Sequence, residues 1–255
     1  MYKITISDIK ERNHLWNFIN ITVWEMIIWY MISGKIRRSW TRKKSSGFAA
    51  GTLVSGLKAI GDIQKESFEL YTKSGISQIR YLNREGNRIQ MTMGKLRFSS
   101  KALGLSGPDR EAVHEFFNFG GEEYDCTCVS AGNPHCVIVL EDTDRETVCR
   151  IGKYSERAEC FPEGINTEIV KILDKNNIEI EIFERGVGYT LASATGACAA
   201  AGAAYKRGLI DSDVMVHMPG GKLWTQIDED WEVKMIGSVK RICKIQLFED
   251  FFQGI

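Results

Sequence analysis

The sequence predicts an α+β fold of two similar lobes, each a sheet wrapped round one small-residue helix. Three observations lead there. Short strand-like runs recur along nearly the whole chain. Two segments rich in glycine and alanine, 48–60 and 194–207, read as buried helices with sheet packed closely around them. Their starts also match: Ser46-Gly47-Phe48-Ala49-Ala50 overlays Ser193-Ala194-Thr195-Gly196-Ala197, each Ser, small, variable, small, Ala. One such start in each half of the chain suggests a duplicated architecture, with the two helix starts facing each other across a cleft.

Taken in order, strands are expected at 2–6, 16–23, 24–32, 67–72, 77–83, 88–93, 125–130, 136–140, 167–173, 177–183, 213–218, 222–228, 231–236 and 242–248, from alternation and β-branched or aromatic content. A third helix is expected at 109–117. The apolar stretch from Leu15 to Ile32, followed by Lys35, Arg37, Arg38, Arg42, Lys43 and Lys44, imitates a membrane span with a positive flank. Asn17, Asn20 and Glu25 interrupt it, and its Ile, Val, Trp and Tyr suit strands, so it is read as buried sheet. It starts too late for a signal peptide and shows no small-residue cleavage site.

Composition excludes several classes. The chain has 255 residues, 44% hydrophobic and 26% charged, with 33 basic and 33 acidic side chains, so net charge favours no polyanionic partner. The basic run from Lys35 to Lys44, with Trp40 inside it, reads as a solvated hairpin or a cleft mouth that draws in an anion; nucleic acid is not expected. Seven cysteines, all between Cys126 and Cys243, form no disulfide framework and fit a reducing cytoplasm. Cys126, Cys128, His135 and Cys136 lack a second cysteine pair at structural-zinc spacing, so no metal is expected. Gly186, Gly188 and Gly196 do not make a dinucleotide fingerprint, because the spacing is wrong and no βαβ unit surrounds them.

The most informative run is 184–201. A strand ends in Glu184-Arg185, a glycine turn follows, and Ser193-Ala194-Thr195-Gly196 opens the alanine-rich helix. Small residues there expose the free backbone N–H groups of the first turn, which together with the macrodipole favour a carboxylate or phosphate. A plain capped core helix is the alternative reading of the same residues.

Ser130-Ala131-Gly132-Asn133-Pro134-His135-Cys136-Val137, Phe161-Pro162-Glu163-Gly164-Ile165-Asn166 and the run from Glu184 to Ala201 resemble the diaminopimelate epimerase family, as does Met91 to Phe98. The resemblance extends from about residue 46 to the C-terminus. It implies two pseudo-symmetric lobes, each a mixed β-barrel round a central helix: 1–121, joined by about 245–255, and 122–244. It also implies cofactor-independent chemistry on a small carboxylate substrate, with one thiol removing an α-proton and an opposing thiol returning one. Both cysteine positions are serine here, Ser46 and Ser193, and Tyr189 replaces a motif glutamate. By the resemblance, His135 and Glu184 lie near the reacting centre, with Gly47, Phe48, Ala194, Thr195 and Gly196 around the α-carboxylate. Asn17, Arg37, Asn133, Asn166, Arg185 and Tyr189 complete the substrate contacts. A homodimer and a cytoplasmic setting are expected.

A serine hydroxyl is a far weaker acid than a thiol and acts only beside a base. Three readings therefore stand at this point: an isomerase of altered reaction with His135 or Glu184 as base, an inactive relative that binds a ligand or partner, and an epimerase run by the two serines.

Overall fold

The computed structural model describes residues 3–5, 19–20, 47–59, 61, 63–72, 75–240 and 244–245. The chain divides into two compact units, 1–91 with 237–255, and 92–236. The expected boundary after residue 121 and this division differ by the segment 92–121.

In the first unit, β1 (Lys3–Thr5) pairs in parallel with β3 (Ser67–Thr72). Antiparallel pairing then runs from β3 to β4 (Gly75–Tyr81) and on to β5 (Arg88–Lys95). A separate antiparallel pair joins β2 (Ile19–Asn20) to β15 (Lys244–Ile245). Alternation sets the faces: Phe68 and Leu70 on β3, Ile79 and Tyr81 on β4, and Ile89 and Met91 on β5 are buried. Helix α1 (Gly47–Ala59) adds Val54 and Leu57 to this core. The Tyr81 hydroxyl donates to the Val54 carbonyl at 2.6 Å, tying β4 to α1.

The second unit is a mixed sheet in the order β14-β13-β12-β10-β9-β8-β7-β6, with β11 paired to β10. The strands are β6 (Glu115–Phe119), β7 (Glu122–Ser130), β8 (Pro134–Val139), β9 (Asn166–Asp174), β10 (Asn177–Glu184), β11 (Gly188–Thr190), β12 (Asp213–Met218), β13 (Gly221–Ile227) and β14 (Glu232–Ser238). The β8–β9 and β10–β12 pairs are parallel. Helix α4 (Ala194–Lys206) packs against β7, β8, β9, β10, β12 and β13, so the sheet curves round it. Its run from Ala197 to Ala204 is wholly buried, because only small side chains leave room for strands on so many sides.

Helix α3 (Arg145–Ser155) covers the other face of β9 and β10 and lies over a cluster that includes Cys126, Cys128, Cys136, Ile138, Val148, Ile151, Ile169 and Phe183. The sequence carries its start signal: Asp144 caps it by accepting from Thr147 N at 2.8 Å, and Val148 and Ile151 repeat at helical spacing.

The helix expected at 109–117 is not there. Asp109 instead braces the start of the short helix α2 (Ser100–Leu103), whose N-cap is Ser99, accepting from the Ser99 hydroxyl at 2.7 Å and Lys101 N at 3.2 Å. His114 sits at φ 57, and residues 115–119 become β6, which puts Phe119 into the core. Tertiary pairing with β7 overrides the local propensity of that segment. The expected strands 16–23, 24–32 and 242–248 fall largely or wholly outside the described residues. Among the described residues no helix is long and apolar enough to cross a membrane.

Candidate active site at the start of helix α4

Alternation along the strands of the second unit separates two chemistries. The register aligns Thr127, Val137, Glu168, Ile182 and Thr190 across β7, β8, β9, β10 and β11. Directly opposed residues share a face, and so do residues two apart. His135, two before Val137, and Asn166, two before Glu168, therefore lie on the same face as this row, as does Glu184, two after Ile182. This is the α4 face. The intervening residues Cys126, Cys128, Cys136, Ile169 and Phe183 face α3. His135 and the three cysteines of the sequence motif are thus on opposite faces of the sheet.

Ser193 is the N-cap of α4, 5% exposed, with its hydroxyl accepting from Gly196 N at 3.2 Å and lying 3.5 Å from Thr195 Oγ1. The cap fixes the hydroxyl over the first turn, where the unpaired N–H groups gather. Ala194 and Gly196 are buried and Thr195 is half-buried.

Beneath this turn sits a buried pair that the sequence reading missed. Glu168 Oε1 is 2.7 Å from His135 Nδ1, and the side chains are 0% and 1% exposed. His135 Nε2 is 3.0 Å from Asn133 Oδ1. Among the described residues Glu168 Oε2 has no hydrogen-bond partner, and neither has Thr190 Oγ1 in the same row. A β-carbon at Gly196 would lie 2.7 Å from Glu168 Oε1 and 3.3 Å from Ser193 Oγ, so the carboxylate is pressed against the helix start. The signal for Glu168 was a lone acidic residue inside a buried apolar strand, which carboxylates rarely occupy unpaired.

Asn166 donates from Nδ2 to the Pro134 carbonyl at 2.7 Å and accepts at Oδ1 from Arg185 N at 3.0 Å, locking the ends of β8, β9 and β10 together. The Arg185 guanidinium donates to the carbonyls of Glu163 at 2.7 Å and Gly164 at 3.1 Å. Glycines at φ +73 and +94, Gly186 and Gly188, make the turn between β10 and β11.

Tyr189 stands apart. It pairs with Phe183 and so faces α3, with its ring 4.7 Å from the Arg145 guanidinium. Burial, then the nearby Glu181 carboxylate, push its hydroxyl up to about 12. The structure brings Ser193, Ala194, Thr195, Gly196, His135, Asn133, Asn166 and Glu184 to one face and leaves Tyr189 on the other. Ser46, Asn17 and Arg37 lie outside the described residues, and Gly47 and Phe48 are described only as the opening of α1. Cys198, one turn into α4, is no substitute thiol, since full burial pushes it up to about 12.

Residues 127–242 match the family model described as diaminopimelate epimerase. Among curated relatives, diaminopimelate epimerase 2 of Nostoc sp. (strain PCC 7120) is 36% identical over 193 residues, covering 76% of this chain and 67% of that protein. Diaminopimelate epimerase of Alkaliphilus metalliredigens is 32% identical over 209 residues, covering 78% and 74%. This chain belongs to the diaminopimelate epimerase family. Solved structures add the fold. A probable proline racemase from Agrobacterium radiobacter K84 superposes with a TM-score of 0.61 at 13% identity, covering 82% of this chain and 69% of that one. A hydroxyproline epimerase from Agrobacterium vitis gives 0.59 at 12% identity, covering 80% and 66%. The family match contains all the described candidate residues from β7 onward, Glu168 included.

Proposed function

We infer that this chain is a cofactor-independent isomerase that moves the α-proton of an amino-acid or related small carboxylate. The arrangement at the start of α4 carries the reading: a buried N-terminus beside a capping hydroxyl, with polar side chains on the sheet beneath it. The first-turn N–H groups would take the α-carboxylate. That contact withdraws charge from the α-carbon as the proton leaves, which stabilises the carbanion-like transition state more than the ground state. Ser193 would stand over the α-carbon, and Ser46 is proposed as the second hydroxyl on the strength of its matching sequence motif. Glu184 would supply the acid–base power that two hydroxyls lack, while His135, with both ring nitrogens engaged by Glu168 and Asn133, would position the site. Asn133, Asn166 and Arg185 would hold the far end of the substrate.

A cytoplasmic homodimer completes the reading. Six thiols without disulfide partners among the described residues support a reducing compartment, and light scattering tests the dimer. The test of activity is solvent exchange. Protein incubated in deuterated water with diaminopimelate and a panel of amino acids should exchange the α-proton of at least one, read by NMR. Folded protein that exchanges none would point to an inactive binder.

A further inference from the structure

The geometry points to Glu168 as a positioning residue that sets the direction of hydrogen bonding across the site, acting through His135 on Asn133. An ionised carboxylate can only accept, so the 2.7 Å contact makes His135 Nδ1 the donor. Among the described residues Glu168 has one ion-pair partner, His135, and both side chains are almost wholly buried. A lone buried carboxylate is costly, and a protonated ring compensates it as a neutral pair. A ring with both protons must also donate at Nε2, and the atom it meets 3.0 Å away is Asn133 Oδ1. With that oxygen occupied, the Asn133 amide turns its NH2 outward. The ligand group that this NH2 meets is then an acceptor, a carboxylate or carbonyl oxygen. This last step rests on the site reading proposed above; the chain from Glu168 to Asn133 does not.

Removing the charge reverses the chain. In Glu168→Gln the ring has no counter-charge and keeps one proton, donated from Nδ1 to the glutamine carbonyl oxygen. Nε2 becomes an acceptor, the Asn133 amide flips to donate to it, and Asn133 then offers an oxygen to the ligand. Nothing is lost in volume, so a merely space-filling role for Glu168 predicts no change.

Two-bond proton–nitrogen spectra of protein labelled at its four histidines test this, with His135→Asn assigning the His135 ring. Wild type at neutral pH should show protons on both His135 nitrogens, and E168Q should lose the one on Nε2. A wild-type ring without a proton on Nδ1 overturns the inference whether or not the variant folds. The same holds if a folded E168Q shows an unchanged ring. In parallel, E168Q should bind diaminopimelate roughly tenfold more weakly, the equivalent of one reversed hydrogen bond, and equal binding counts against it. If wild type itself binds no diaminopimelate, the substrate reading falls while the ring spectra still decide the role of Glu168.

Discussion

Gly196→Ala probes the tightest point of the site. The added methyl would lie 2.7 Å from Glu168 Oε1, 3.1 Å from Ser193 Cβ and 3.3 Å from Ser193 Oγ. A carboxylate oxygen at the end of a flexible chain would ordinarily swing aside. Here it is held by His135 at 2.7 Å and has no exposed surface. Forcing a methyl into a packed site costs about 1–3 kcal/mol. Alanine returns about 1 kcal/mol of helix propensity, which leaves a net loss of roughly 0–2 kcal/mol. For a protein of this size that lowers Tm by roughly 2–4 °C per kcal/mol. The decisive assay is a double-mutant cycle with Glu168→Ala in urea. Removing the carboxylate removes the main overlap, so G196A should cost about 1 kcal/mol less in that background. If the two changes add to within about 0.5 kcal/mol, the oxygen is not what excludes a side chain at 196.

Other outcomes follow from the same contacts. Gly152→Ala should destabilise more than Gly202→Ala in thermal melts. Both methyls would meet carbon at 2.2 Å, but the first meets the Phe183 ring at its root and the second meets the tip of Leu96. Ser193→Cys should show thiolate absorbance at a pH below the ordinary cysteine value of about 8.5, because the Gly196 N–H and the helix start favour the anion. Cys198 should show none in the native protein below strongly alkaline pH. Paired with Ser46→Cys, S193C should gain α-proton exchange if the family geometry is kept. Finally, Asp109 is held below the ordinary range by the Ser99 hydroxyl and Lys101 N–H, and Asp144 by Thr147. Because the folded values are depressed, their contribution is whole above about pH 4 and is lost as pH falls through them. Asp144→Asn keeps a cap and should flatten the acid limb of the urea midpoint.

Legibility was uneven for physical reasons. Strand 67–72 and helix α4 were readable because alternation and a run of small residues each admit one packing. Segment 109–117 misled because its local charge pattern suits a helix while Phe119 and the pairing of Glu115 with Cys126 demand a strand. At the site, Ser193, His135 and Asn166 stood out by motif. Glu168 did not, since one acidic residue in a strand looks solvated until the register puts it under a helix. Tyr189 looked like its neighbours in the motif, yet its place in the alternation sends it to the far side of the sheet.

That alternation has a consequence for how such a site can change over generations. On β9 the residues of the site and of the core are interleaved one by one: Asn166 and Glu168 go to one side, Thr167 and Ile169 to the other. Deleting a single residue here would not trim the site. It would trade every polar group for a core group and bury the wrong half. The strand can accept replacements but not changes of length, so its chemistry can be rewritten one letter at a time while the frame stays still.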